Sequence, residues 1–300
     1  MRPQSALALK GAAVEEWTDV HFFRPVGMRI ARALAPTPVT ADAVTLAGLV
    51  VGLAAGHLLY YPRVWVNLAG VGLLVASDFF DSADGQLARL RGTSTRFGRV
   101  LDGLSDTARF LNLYVHLFAR LVTGQGWGWP ALVLVGVAIW SHSLQGAAVD
   151  FVKNAYLELG PGGGGEVDLP EDLGGVEPGA TPSRVARRLY RAYVRRQVLM
   201  FPVTYRTLQA GRRAARTPAD RERWARRQAR VLPVLTLIAT NIRFLLLAAA
   251  VVAGHVAWFL WATAVPLNLL MIGTVIVHER TAAALEREPP GGAGEPAVAE

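Results

Sequence analysis

Six apolar runs dominate the chain, at about 43–61, 64–80, 103–123, 129–149, 231–252 and 254–277. Each is near the ~20 residues that carry a helix across a bilayer. With 52% hydrophobic residues and a mean hydropathy of +0.30, the chain is too apolar for an ordinary soluble domain. The expected fold is all-α: a polytopic membrane protein with six transmembrane helices. The connections are short, at Tyr61-Pro62-Arg63, 124–130 and Gly254-His255, so neighbouring spans must be antiparallel. Trp127 and Trp129 fit an interfacial belt.

The first 30 residues hold Glu15, Glu16, Asp19, Arg24 and Arg29 and no apolar core, so no signal peptide is expected. Residues 13–35 instead read as an N-terminal interfacial helix. Val20, Phe22, Phe23, Val26, Met28, Ile30 and Leu34 alternate with charge, and Pro25 should break or kink the segment. A soluble amphipathic helix fits the pattern equally. Pro36 and Pro38 form a stop, after which Asp42 is expected to cap the first span.

Charge sets the orientation. Of 31 Lys and Arg, five precede residue 40, four lie at 89–99, sixteen at 153–230 and two follow 278. Only Arg63 falls in a loop on the other side, while Arg109, Arg120 and Arg243 lie within apolar runs. The distribution places both termini and the long loop in the cytoplasm of a cell with this protein in its inner (plasma) membrane. Arg89, Arg91, Arg96 and Arg99, in one short connection, carry most weight. The chain has no cysteine, which excludes disulfides and thiolate metal sites.

The chain divides into an N-terminal segment 1–39, spans 1–4 over 40–150, a cytoplasmic segment 151–230, spans 5–6 over 231–278 and a tail 279–300. Residues 160–180 are rich in Gly, Pro and acid and read as a flexible linker. The run Gly162-Gly163-Gly164-Gly165 lacks the Gly-Lys-Ser/Thr of a phosphate loop. Arg184, Arg187, Arg188, Arg191 and Arg195 fall on one helix face. A solvated face against anionic headgroups explains them without nucleic acid. The tail beyond 288 is expected to be disordered.

Chemistry concentrates between 81 and 106. The stretch reads Asp81-x2-Asp84-Gly85-x2-Ala88-Arg89, then eight residues to Gly98, then x3-Asp102-x3-Asp106. On helices each aspartate pair shares a face. The first pair ends span 2 and the second begins span 3, so the pairs can face each other near the membrane surface. Four carboxylates in one low-dielectric pocket repel and would otherwise stay protonated. Hard divalent ions relieve that repulsion, and oxygen-only ligands select Mg²⁺, Mn²⁺ or Ca²⁺ over zinc. Gly85 leaves room for a ligand, and Arg89 suits a phosphate.

This pattern, D-x2-D-G-x2-A-R-x8-G-x3-D-x3-D, resembles the CDP-alcohol phosphotransferase family with every spacing intact. The resemblance is convincing over about 36–125. Thr40-Ala41-Asp42-Ala43-Val44-Thr45 departs from the family's usual Thr-Pro-Asn-x-Val-Thr at Ala41 and Asp42. The resemblance implies two Mg²⁺ (or Mn²⁺) ions, one held by Asp81, Asp84 and Asp102, the other by Asp81, Asp102 and Asp106. It implies a cytidine nucleotide along Gly85, Ala88, Arg89 and Thr95, near Gly98. It implies Asp106 as the base that frees an acceptor hydroxyl to attack the donor's β-phosphorus and expel CMP. It also implies a homodimer, with a CDP-linked lipid donor, an alcohol acceptor and the bilayer as its partners.

The acceptor stays open at this stage. Asp102-Gly-Leu-Ser-Asp106 lacks the Pro and Lys expected of a glycerol-phosphate enzyme and is not the Asp-His-Gly-x-Asp of choline and ethanolamine enzymes. An inositol or inositol-phosphate acceptor is the first choice, with other donors and acceptors of the family, or a divalent-cation transporter, as alternatives. Arg243 and Arg109 are the candidate acceptor-binding residues. The alternative for Arg243 is a structural partner of a buried carboxylate such as Asp78, and for Arg109 an ion pair with an aspartate. His142 and Asp150 are weaker candidates, and Asn241 and Asn268 read as interhelical hydrogen-bonding residues.

Overall fold

A computed structural model describes residues 14–161, 165, 167–174, 184–214 and 216–288. All regular structure among them is helical. A π-helical turn, Asp19–Phe23, runs into α1 (Arg24–Leu34). Then come α2 (Ala41–Leu58), α3 (Val64–Arg91), α4 (Arg96–Gln125) and α5 (Trp129–Leu159). Three helices follow, α6 (Arg184–Met200), α7 (Pro202–Arg213) and α8 (Pro218–Gln228). The chain closes with a short α9 (Leu232–Thr236), α10 (Thr240–Val252), α11 (Ala257–Ala264) and α12 (Pro266–Arg287).

Four helical segments are long and apolar enough to cross a membrane: α2, α3, α5 and the α11–α12 pair over Ala257–Arg287. The other two apolar runs fall short for different reasons. α4 is 30 residues long but carries Asp102, Asp106, Arg109 and Arg120. The run 231–252 is interrupted between α9 and α10, which leaves α10 with 13 residues, about 20 Å of helix.

Local chemistry explains the helix ends. The cap of α2 is Thr40, whose Oγ1 accepts from Ala43 N at 3.2 Å, and not Asp42, which lies inside the first turn. An extended backbone at Thr40 lets its hydroxyl reach forward; Asp42 is already helical and instead complements the positive helix end. The last turn of α2 is closed from its neighbours. Asn67 Nδ2 donates to Leu58 O and Tyr61 O, and Arg120 Nη1 donates to Leu59 O and Asn67 Oδ1. These bonds satisfy carbonyls that a helix end leaves unpaired. α3 stops at Gly92, whose left-handed φ of +66° favours glycine. Arg91 donates to the carbonyls of Val39, Leu34, Ala35 and Thr37, fixing the α1–α2 connection.

α2 is the hub on which α3 and α4 pack. A Cβ at Gly48 would come 2.9 Å from Phe80 Cβ, one at Gly52 2.6 Å from Arg109 Cδ, and one at Gly56 2.2 Å from Asn112 Nδ2. These glycines, one turn apart, let both neighbours approach closely. α3 has 28 residues, about 42 Å against a hydrocarbon core of about 30 Å. Its acidic C-terminal end therefore has length to spare beyond the apolar part.

Pro25 does not break the N-terminal helix. It sits at the start of α1, directly after the π-turn, where a missing N–H is harmless. Phe23, Gly27, Met28 and Ala31 face α3.

The second half folds around α5, which continues nine residues past a boundary at 150. Phe151, Phe201, Leu208 and Trp224 bury α5 against α7 and α8. Glu279, on the extension of α12, accepts from Val203 N, Thr204 N and Thr204 Oγ1, and so caps α7. The described part of 160–180 is not a free linker. Val167 and Leu169 are buried in the same core, and Pro170–Gly174 forms a 3₁₀ turn. Arg212 pins this segment by bonding Glu158, Asp172 and Val167 O. Two apolar side chains within an acidic, glycine-rich stretch are enough to anchor it. The rest of that stretch, the chain before Val14 and the tail 289–300 lie outside the described residues.

Candidate active site

The C-terminal end of α3 and the N-terminal end of α4 bring three of the four motif aspartates together. Asp81, Asp102 and Asp106 each offer a carboxylate oxygen within 4.8 Å of the others. Asp102 Oδ1 is buried and has no hydrogen-bond partner among the described residues. A buried, unpaired carboxylate oxygen beside two further carboxylates is a poor arrangement for a bare protein and a good one for a divalent cation. The all-oxygen donor set fits Mg²⁺ or Mn²⁺.

The fourth aspartate is turned elsewhere. Asp84 is buried and accepts a 2.5 Å hydrogen bond from Thr45 Oγ1 of α2. It is not one of the three residues whose carboxylate oxygens come within 4.8 Å of one another.

Arg109 enters the acidic group from α4. It bonds Asp78 and Asp81 at 3.2 Å each, Asp106 at closer range, and Ser77 Oγ at 2.6 Å. Asp78 thus has an ion partner in Arg109, one turn deeper than Asp81. Gly52 makes room for this arginine, and Ser77 also donates to Gly48 O, tying the cluster to α2.

The residues expected to meet the donor lie at the same end. Arg89 folds back over Gly85, with Nη1 3.3 Å from where a Cβ would stand, and its Nη2 is buried without a described partner. Ala88 is half-buried, and its carbonyl accepts from Thr93 N. Thr95 caps α4 by accepting from Gly98 N at 2.9 Å. A Cβ on Gly98 would be 3.7 Å from Asp42 Oδ1, so the departure at Asp42 faces this part of the site.

Arg243 occupies a separate environment, 4% exposed in α10. Its Nη2 donates to Gln145 Oε1 at 2.8 Å and Ile238 O at 2.7 Å, and its Nη1 has no described partner. The alternative of a pairing with Asp78 is not seen; Arg109 holds that carboxylate. Gln145 continues the network to Asn268 and Thr263 O, and Asn268 reaches Ser141, so Asn268 does bond between helices. Asn241 bonds Glu16, Thr18 and Asp19 of the N-terminal segment. His142 is satisfied by Tyr114 OH and stacks on Phe110, while Asp150 accepts from Gln197 and Tyr193.

Ser77 was not singled out in the sequence, and Thr45 entered only as the last residue of the Thr40–Thr45 turn, although Thr45 holds Asp84 and Ser77 holds Arg109. The Gly48, Gly52, Gly56 spacing was their available signal. It marks the face of α2 that meets α3 and α4, and Thr45 lies on that face.

Residues 38–155 match the family profile described as CDP-alcohol phosphatidyltransferase. Over 152 residues, half of this chain, it is 33% identical to a phosphatidylinositol phosphate synthase of Mycobacteroides abscessus, covering 66% of that protein. An archaetidylinositol phosphate synthase of Methanothermobacter thermautotrophicus is 35% identical over 113 residues, which are 34% of this chain and 53% of the relative. A CDP-diacylglycerol–serine O-phosphatidyltransferase of Mycobacterium leprae is 32% identical over 72 residues, 24% of each chain. The chain thus spans less than two thirds of the length of the relatives it matches. The matched segment holds the whole aspartate motif and the helices that position it, so residues 38–155 carry a CDP-alcohol phosphatidyltransferase domain.

Proposed function

We propose that this protein transfers a phosphatidyl group from CDP-diacylglycerol to the hydroxyl of an inositol phosphate, releasing CMP in phospholipid synthesis. The observation that carries the reading is the convergence of Asp81, Asp102 and Asp106, with Asp102 Oδ1 left without a partner. Asp106 is the base: it takes the proton as the acceptor oxygen attacks the β-phosphorus, the bond from that phosphorus to the bridging oxygen breaks, and CMP departs. Asp81, Asp102 and Asp106 would hold one divalent ion, and Asp84 would join a second on leaving Thr45. When bound, such ions neutralise the pyrophosphate and favour the leaving nucleotide. Arg89 holds donor phosphate beside Gly85 and Ala88, with Thr95 and Gly98 flanking the nucleotide. Arg109 keeps Asp81 and Asp106 oriented and, with Arg243, faces the acceptor.

The acceptor assignment draws on two supports. Relatives named for phosphatidylinositol phosphate and archaetidylinositol phosphate synthesis match the same segment. Arg243 is a buried cation whose free Nη1 suits a phosphate-bearing acceptor. A cation transporter is disfavoured because Arg109 sits among the carboxylates through which an ion would pass.

The reading includes six crossings, with α4 and the α9–α10 pair as the third and fifth. Termini and site lie on the cytoplasmic side of the plasma membrane. The N-terminal helix lies at the interface, with Trp17 72% exposed beside exposed Phe22, Arg29 and Arg32. Two copies form the working unit. The test is CMP release from labelled CDP-diacylglycerol, with inositol phosphate, free inositol, glycerol phosphate and serine offered in turn. Inositol phosphate should be the preferred acceptor; no CMP release with any alcohol would overturn the activity.

A further inference from the structure

The far ends of α2 and α4 carry a second cluster of metal-ligating side chains. His57 Nδ1 and His116 Nε2 face each other at 3.4 Å. That is long for a hydrogen bond, whose usual range ends near ~3.2 Å. It is the separation of two nitrogens on one tetrahedral zinc ion, about 3.4 Å for Zn–N bonds of about 2.05 Å. The remote nitrogen of each ring already has an oxygen partner. His116 Nδ1 is 2.8 Å from Asn112 O, and His57 Nε2 is 3.2 Å from Tyr61 OH. The contact with a carbonyl requires the proton of His116 on Nδ1, which leaves the Nε2 lone pair pointing at His57. Metal-bound histidines are oriented in this way, by an oxygen that takes the other ring N–H.

We infer that His57 and His116 form a binding site for a zinc-class divalent ion that clamps α2 to α4. The site is distinct from the aspartates. Along α2, His57 lies about 18 Å beyond Thr45, and along α4, His116 lies about 15 Å beyond Asp106. His57 is exposed and His116 half-buried, so water can complete the coordination. Binding needs only a tautomer change at His57. Its Nδ1 proton moves to Nε2, where the Tyr61 oxygen accepts it, and no net proton is released. The ligands are imidazoles rather than carboxylates, so the site favours Zn²⁺, Ni²⁺ or Cu²⁺ while the aspartates favour Mg²⁺.

Zn²⁺ is titrated calorimetrically into the whole chain, carrying no polyhistidine tag, in detergent with saturating Mg²⁺ to occupy the aspartates. One Zn²⁺ should bind per chain and raise the melting temperature, and Co²⁺ should give the visible bands of nitrogen-ligated tetrahedral cobalt. His57→Ala and His116→Ala should each weaken binding at least tenfold, and Tyr61→Phe about tenfold. Metal-free melting within a few degrees of the parent identifies folded variants, and His57→Gln replaces His57→Ala if the latter fails. No Zn²⁺ uptake by the parent, or unchanged uptake by a His57→Ala, His116→Ala double variant, would overturn the site.

Discussion

Arg109 and Arg243 are both withdrawn from solvent within one helical bundle, yet their surroundings are opposite. Arg109 meets Asp78, Asp81 and Asp106 and a serine hydroxyl. Arg243 meets a glutamine oxygen and a main-chain carbonyl, with one nitrogen unpaired. A buried charge is costly unless it is paired and hydrogen-bonded. Arg109 meets that condition inside the protein, which suits the part of its proposed role that orients the aspartates. Arg243 does not, which suits its proposed role of meeting an anionic acceptor. On the proposed function, the half of the bundle with compensated charge prepares the chemistry and the half with uncompensated charge receives the substrate.

The first way to break this division is to strike the aspartates. Chelation should abolish turnover, and Asp106→Asn should lower it by at least ~10²-fold while the CDP donor still binds, as loss of a general base requires. Asp81→Asn should lose metal and donor binding together. Full turnover in excess chelator, or equal and small effects at the two positions, would remove the basis for treating this half as the chemical one.

A second intervention reaches the same cluster indirectly. Gly52→Val adds a branched side chain where a Cβ alone would meet Arg109 Cδ at 2.6 Å. Arg109 must then leave its carboxylates, and we expect turnover to drop by about tenfold or more, with a folded yield reduced by the overpacking. Gly103→Ala, where nothing lies within 4 Å of the added carbon, is the matched control. Similar losses for both would show that Arg109 does not organise the site.

Arg243→Ala tests the other half. The apparent KM for inositol phosphate should rise about tenfold or more, while the KM for the CDP donor holds within a few-fold. If the arginine is instead only a strut for Gln145 and Ile238 O, folded yield should drop and both KM values should stay put. Kinetics on detergent-purified variant, with its yield recorded, separates the two outcomes.

How much of this was visible in the sequence follows from the range of the interactions involved. The aspartate motif was readable because its spacing is local to two helix ends, and the apolar runs because they are continuous. The position of Asp84 was not, since it depends on Thr45, 39 residues away. The environment of Arg243 was not either, since Gln145 lies 98 residues away. Residues 160–180 misled for a compositional reason: the stretch is glycine-rich and acidic, and Val167 and Leu169 anchor it nevertheless. Leu169→Ala should cost about 2–5 kcal/mol, seen as a lower melting temperature with little change in KM. Shortening 162–177 as a dispensable linker should therefore destabilise the protein. A shortened chain with unchanged melting would restore the simple linker.

The smallest expected effect sharpens the comparison most directly. Glu16 is buried beside Lys153, Asp19 and Asn241; Asn241 stands two positions before Arg243 on α10, and the charge of Glu16 can act on Arg243 across that distance. Burial pushes the Glu16 carboxyl above its ordinary value of 4.5, against the opposing pull of Lys153. Between 4.5 and that raised value the folded chain holds more protons than the unfolded one. Stability should therefore fall as pH rises through the window and level off above it. Glu16→Gln keeps an oxygen for Asn241 and removes the titration, so this slope should vanish, by an amount of order 1 kcal/mol per pKa unit. Melting temperatures across pH 4–8 measure it, and the plateau above the window decides the comparison. If Arg243 is left for an outside anion, the variant should be at least as stable there as the parent. If the variant is less stable there, Arg243 draws its compensation from Glu16, and the two arginines differ in distance to their carboxylates rather than in kind.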